Sequence, residues 1–348
     1  MTLMHLKDEP SKIASVLAGK ELINLEYLIN GGNNRIYKVT FKDNSCAALK
    51  CYSGLSQLGV DRLTREYKGL TFLSQNGVNV ISKPIACDEQ KGYALYQWIE
   101  GEKIESLISE DIDRLLAFSK CLYSLTENLQ AKQLLNAKDE TLSGESLKKQ
   151  IKRRLERLKS SLQSNYLLNN FLENQFIPTC EEAIYWAKSN YKNHKIDFSE
   201  QINFSQRTLS PSDFGFHNAL RLPDNSIVFL DFEYFGWDDP VAMMSDFLWH
   251  PAMSLTLDLK QRFVTGMCEL FRKDKTFIMR FCYLYPLFGL TWVLILLNEF
   301  IPEIWHRRVQ AGKATESKRL QIQEEQLLKA NTYLQNVHKI METFPYAI

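Results

Sequence analysis

The sequence predicts an α+β protein in two lobes: a small N-terminal antiparallel β lobe with one helix (residues 1–100) and a larger, mainly helical C-terminal lobe (residues 101–348). Three observations carry this. Short runs with period-two alternation crowd the first hundred residues, and from about Ser109 the chain becomes mostly helical. A single strand-and-loop island, 204–235, interrupts the helices. No internal repeat, low-complexity tract or Pro/Gly-rich linker divides the chain.

Taken in order, Glu26–Ile29 and Arg35–Phe41 read as strands flanking Gly31-Gly32-Asn33-Asn34, with Tyr37, Val39 and Phe41 alternating with polar neighbours. Lys42–Ser45 is a turn and Cys46–Tyr52 a third strand. Asp61–Leu73 has helical spacing, with Leu63, Tyr67 and Leu70 near one face. Ile81–Asp88 and Tyr93–Ile99 are two further strands, joined by a turn that ends in Gly92, and Glu100-Gly101-Glu102 breaks the pattern. Residues 281–297 form a run of 17 without a charge, containing Pro286 and Gly289. As a helix it rises about 1.5 Å per residue and falls short of a hydrocarbon core of about 30 Å, so a buried core helix is expected and no membrane span.

With 348 residues, 45% hydrophobic and 24% charged content and a formal net charge of +1, the composition is that of a globular chain with no global field. That balance argues against nucleic acid or an anionic membrane as partner. The basic run Lys148–Arg154 reads as a solvated helix face. Seven cysteines occur without C-x-x-C spacing, and Cys46 and Cys51, an odd number of positions apart on one strand, point to opposite faces. Reduced thiols in a cytoplasmic protein are expected, and the charged N-terminus lacks the apolar stretch of a signal peptide.

The residues able to do chemistry are few. Paired glycines in Gly31-Gly32-Asn33-Asn34 would let backbone N–H groups approach a phosphate, although a plain hairpin turn has the same composition. Ala48 and Lys50 share one face of their strand, leaving room for a flat ring beside an ammonium group. Glu66 lies three residues after Leu63 and four before Leu70, on the apolar stripe of its helix, where a carboxylate is costly unless paired; Lys50 is the candidate partner. Asp213 precedes Asn218 by five positions in LSPSDFGFHNAL, and Asp231 follows Asn218 by thirteen, after the apolar run 227–230. A carboxylate can take or orient a hydroxyl proton, and an Asn oxygen with a second carboxylate suits Mg²⁺ that bridges phosphates.

These stretches resemble the protein-kinase-like fold, in detail its small-molecule branch, the aminoglycoside phosphotransferase and choline kinase family. The resemblance runs from about Glu26 to Phe247: INGGNNRIYKV is similar to the phosphate-covering loop, AALKCY to the lysine strand, TREYKGLTFLSQNGV to the glutamate helix and LYQWIEGE to the hinge. DFGFHN resembles the catalytic loop and LDFEYFGWDDP the metal-binding segment. The resemblance implies an ATP- and Mg²⁺-dependent kinase of a small-molecule hydroxyl, with Asp213 as catalytic base or hydroxyl orienter and Asn218 with Asp231 as Mg²⁺ ligands. It implies that Gly31, Gly32, Asn33, Asn34, Ala48, Lys50 and Glu66 serve the nucleotide, and that backbone groups of Gln97 and Ile99 meet adenine. The chain departs from the family at Pro211, where a histidine is usual, and at Met243, where an aspartate is usual; Asp246 stands one helical turn later.

The acceptor is left open among an aminoglycoside, a choline- or ethanolamine-like amino alcohol and a sugar. Trp237, Trp249, Tyr283, Tyr285 and Trp292 supply enough aromatic surface for a cation cage, but at helical spacing they fit a core better. Asp238, Glu299 and Glu303 offer charges for an amino sugar, or are ordinary exposed carboxylates. Leu320, Leu327, Leu334 and Met341 recur at intervals of seven; packing within the helical lobe is favoured over a dimer seam, leaving a monomer or a homodimer. The alternative to an enzyme is a catalytically weak or inactive nucleotide-binding or scaffolding relative, motivated by Pro211 and the displaced Asp246.

Overall fold

The computed structural model describes residues 2–28, 34–52, 57–160, 165–310 and 314–348. In chain order the elements are α1 (Thr2–Ala18), β1 (Leu22–Leu28), β2 (Asn34–Phe41), β3 (Cys46–Tyr52), α2 (Gln57–Gln75), β4 (Pro84–Asp88), β5 (Tyr93–Gln97) and β6 (Glu102–Lys103). Then come α3 (Ser109–Ser124), α4 (Gly144–Ser160), α5 (Tyr166–Phe171) and α6 (Ile177–Asn193). Four short strands follow: β7 (Thr208–Ser210), β8 (Ala219–Arg221), β9 (Ile227–Phe229) and β10 (Gly236–Asp238). The chain ends in α7 (Pro240–Trp249), α8 (Leu257–Leu270), α9 (Phe277–Leu296), α10 (Pro302–Gln310) and α11 (Arg319–Glu342).

The α+β class stands. Contacts divide the chain into two compact units: residues 1–106, 121–138 and 211–236 form the first, and 107–120, 139–210 and 237–348 the second. The first is built on an antiparallel sheet in the order β1-β2-β3-β5-β4. Its faces sort by parity, as a pleated strand requires. Odd-numbered Tyr37, Val39, Phe41, Ala47, Leu49, Cys51, Tyr93 and Leu95 share a core with Ile13 and Ala14 of α1. Even-numbered Ala48 and Lys50 sit opposite Tyr96 and Ala94 in the β3–β5 ladder and line the other face, where α2 buries Leu63, Glu66 and Leu70.

Three expectations need correction. Among the described residues the small lobe carries two helices, not one; α1 escapes a periodicity reading because Pro10 and a cluster of charges interrupt its apolar positions. Ile81 is not part of β4: it makes an isolated parallel bridge to Phe229, while Phe229 donates its N–H to Val80 at 2.9 Å. Ile99 lies beyond the end of β5.

In the second unit α9 is the central helix, packed by α4, α6, α7 and α11. The uncharged run expected as a core helix is one: α9 with the turn after it is long and apolar enough to cross a membrane, but 78% of its most apolar window is buried inside the protein. Gly289 lets this packing happen, because a Cβ there would strike Trp249 and Val337. In α11 the buried positions are Gln323, Ala330, Leu334 and Val337, whereas Leu320 is 71% exposed. The helix therefore packs within its own unit, along a stripe shifted from the one read from the sequence.

Candidate functional site

The first unit gathers the polar set. Lys50, inward on the α2 side of β3, donates to Glu66 Oε2 and to Asp231 Oδ1, each at 2.6 Å. Tyr52, two residues on and so on the same face, donates to Glu66 Oε2 at 2.6 Å and shares a 2.7 Å hydrogen bond with Tyr96. Burial and the neighbouring Glu66 push the Tyr52 hydroxyl well above its ordinary pKa, so it stays a donor. Glu66 Oε1 accepts the Phe232 N–H at 3.3 Å.

Burial alone would pull the Lys50 ammonium down, but Asp231, Glu66 and Glu233 outweigh it and raise its pKa, keeping the charge. Glu66 and Asp231 are both raised, first by burial and then against the opposing pull of Lys50. The Asp231 side chain keeps 40% of its surface open against 4% for Glu66, so solvent screens its rise more strongly.

The segment after Asp231 is held by one stripe of α2. Arg62, Glu66 and Gly69 lie four and three residues apart, the spacing of a single helix face. Arg62 Nη1 lies 3.7 Å from Glu233 Oε2, and a Cβ on Gly69 would run into the Phe235 ring. Glu233 also accepts from Asn34 Nδ2 at 2.5 Å. The Asn34 Oδ1 is buried without a hydrogen-bond partner among the described residues, a situation that costs about 1–3 kcal/mol unless a donor arrives. Asp231 itself holds φ 63°, uncommon for a non-glycine residue and a mark of a segment fixed by its surroundings.

Asp213 and Asn218 belong to the same unit. Asn218 Nδ2 donates to both Asp213 O and Asp213 Oδ2 at 3.1 Å, and His217 Nε2 lies 2.9 Å from Asp213 Oδ1. β8 pairs antiparallel with β9, and at the mouth of that hairpin Leu230 N–H donates to Asn218 O at 2.8 Å. The hairpin therefore sets Asn218 across from Leu230, directly beside Asp231. The loop lacks a histidine at Pro211, and a tight turn shapes it instead: Asp213 N–H donates to Pro211 O at 2.9 Å across Ser212 at φ 66°, and Ser212 Oγ donates to Tyr234 O at 3.2 Å.

The other sequence candidates fall as follows. Ala48 lies beside Lys50 on the same strand face. Gln97 N–H donates to Lys83 O at 2.8 Å and Gln97 O accepts from Ser82 at 2.7 Å, so both backbone groups already have partners. Gly31, Gly32 and Asn33 lie outside the described residues. In the second unit Met243 is buried, and Asp246 accepts from Trp292 Nε1 at 2.9 Å. Trp237, Trp249, Tyr285 and Trp292 are buried core, and Asp238 and Glu299 are buried rather than exposed. Asp238 accepts the backbone N–H groups of Thr141 and Asp239. Tyr52, Arg62, Glu233 and His217 are the site neighbours that sequence reasoning missed.

Carboxylate oxygens of Glu66, Asp231 and Glu233 lie within 4.8 Å of one another, and the Asn218 amide nitrogen is spent on Asp213, which leaves its oxygen as the acceptor of that side chain. Such hard oxygen donors fit a divalent cation of the Mg²⁺ type.

The fold these elements build is that of the small-molecule kinases, the protein-kinase-like fold. Among solved structures the chain is similar to a spectinomycin phosphotransferase in complex with ADP and spectinomycin (TM-score 0.61, 12% identity, 97% of each chain covered). It is also similar to a choline kinase from Streptococcus pneumoniae (0.56, 15%, 95% of this chain and 99% of that one) and to an amicoumacin kinase in complex with AMP-PNP and Ca²⁺ (0.56, 14%, 97% and 100%). No protein-family model and no curated protein matches the sequence.

Proposed function

We propose that this chain is a cytoplasmic ATP- and Mg²⁺-dependent phosphotransferase that moves the γ-phosphoryl group to a hydroxyl of a small molecule: an aminoglycoside, a choline- or ethanolamine-like amino alcohol, or a sugar. The observation that carries the reading is Lys50, held at 2.6 Å between Glu66 and Asp231 in the same compact unit as the Asp213–Asn218 pair.

In this reading residues 1–100 bind nucleotide, with Gly31, Gly32, Asn33 and Asn34 over the phosphates and Ala48, Gln97 and Ile99 around the base. Residues 101–348 supply the catalytic loop, the metal-binding segment and the acceptor site. Lys50 binds phosphate oxygens and Glu66 keeps its ammonium in place. Asn218 and Asp231 would hold Mg²⁺, which when bound supplies positive charge to the phosphate oxygens. Asp213 orients the acceptor hydroxyl and takes its proton while the acceptor oxygen bonds to phosphorus and the bond from phosphorus to ADP breaks. Asn218 and His217 hold the Asp213 carboxylate for that step.

An ATP-consumption screen over aminoglycosides, choline and ethanolamine, sugars and hydroxy amino acids tests the reading. One class should drive turnover, and Asp213→Ala should cut kcat by about 10²–10⁴-fold. Full activity in that variant removes Asp213 from the role given to it. No turnover with any acceptor, together with melting unmoved by Mg²⁺–ATP, points to an inactive scaffolding relative.

A further inference from the structure

Glu233 is 2% exposed and lies two residues after Asp231, yet nothing in the phosphotransfer reading above uses it. Its Oε2 meets two elements at once: Asn34, the first residue of β2, and Arg62, one turn before Glu66 on α2. Arg62 is 7% exposed and Asn34 9%, so solvent contributes little to any of these contacts. The next turn of α2 takes the Phe232 N–H through Glu66, and the turn after it seats Phe235 against Gly69. The segment bearing Asp231 is therefore registered on α2 at three points, and Asn34 ties the start of β2 to the first of them. Asn34 stands two positions after Gly32, the second of the paired glycines, in the sequence.

We propose that Glu233 is a positioning residue that couples the entry of β2 to the Asp231 segment through Asn34, so that nucleotide phosphates and metal are bound as one event. The proposal rests on the phosphotransferase reading. Asn34 brings an amide donor to a buried carboxylate, and a charge-assisted hydrogen bond of that kind is both strong and directional. Arg62 faces the same carboxylate oxygen from α2 at 3.7 Å and helps to aim it. Losing either partner frees the start of β2 while leaving Lys50, Glu66 and Asp231 intact, so nucleotide affinity falls more than turnover.

The test titrates Mg²⁺–AMP-PNP into the full chain by calorimetry and follows melting of the same variants. Asn34→Ala and Glu233→Gln should each raise Kd about tenfold, and the double variant should be no worse than the worse single one. Asn34→Asp sets two carboxylates face to face and should be the weakest binder. Combining Asn34→Asp with Glu233→Gln again places one amide opposite one carboxylate and should return Kd to within about threefold of wild type. Should Asn34→Asp alone fail to fold, the swapped pair against Asn34→Ala makes the same decision. Wild-type binding with unchanged Kd in the single variants overturns this proposal and leaves the phosphotransferase reading standing. A swap that restores the melting temperature without the affinity also overturns it, because the contact is then only structural. A wild-type chain that binds no nucleotide overturns both.

Discussion

Each unit buries an ion network, and the two are built differently. In the second unit the Arg280 fork grips Asp239 with Nε at 2.9 Å and Nη2 at 3.0 Å, and Nη1 reaches Asp274 at 2.8 Å. Asp239 caps α7 through the Val241 N–H, and Asp274 also accepts from Gln206 and Thr276. All three side chains are at most 9% exposed, so each charged group has a partner and is closed off from solvent. In the first unit Lys50 serves two carboxylates with a flexible ammonium, and Asp231 stays 40% exposed. A closed bidentate network holds a fold together; a network with one carboxylate open to solvent has capacity left for a ligand.

Substitution should separate the two. Arg280→Ala leaves two buried carboxylates without their partner and should cost about 3–5 kcal/mol in urea unfolding, the largest stability loss expected from either network. Lowering pH should sharpen the contrast by opposite signs. Burial pushes Asp274 up, but Arg280 and the surrounding donors hold it below its ordinary value. Its contribution is thus present above about pH 3.9 and is lost as pH falls through the folded pKa. Glu66 is raised, so between about pH 4.3 and its folded pKa the native state keeps a proton that the unfolded chain has released. Stability falls as pH rises through that window and returns on acidification. Urea midpoints against pH should therefore lose that fall in Glu66→Gln and lose the acid limb in Asp274→Asn; matching profiles for the two variants would erase the distinction. The smallest effect concerns the stripe of α2. Gly69→Ala gains about 1 kcal/mol in helix propensity but forces the Phe235 ring to move, at a cost of about 1–3 kcal/mol. A net loss near 1 kcal/mol in the same assay is expected.

The sequence made the Lys50–Glu66 pair readable because Glu66 breaks an apolar stripe, and β3 was readable end to end because the turn Lys42–Ser45 precedes a mostly apolar run of strand length. Tyr52 and Arg62 were within reach of the same rules: Tyr52 shares parity with Lys50, and Arg62 lies four residues before Glu66. The contact of Glu233 with Asn34 was not, because it joins residues 199 positions apart through loops that carry no period. β6, β8 and β9 are two or three residues long, too short for alternation to register. Of the five aromatic residues weighed as a ligand cage, Trp237, Trp249, Tyr285 and Trp292 are core, as helical spacing favoured, whereas Tyr283 is half-buried; composition alone does not say which side of a helix is covered.

The registration of Phe232, Glu233 and Phe235 on Arg62, Glu66 and Gly69 also limits how this chain can change over evolutionary time. One residue inserted or deleted between Arg62 and Gly69 turns the rest of α2 by about 100° and takes the contacts beyond it out of register together. Relatives can exchange side chains along α2, but its length between these positions should be as invariant as any residue in it.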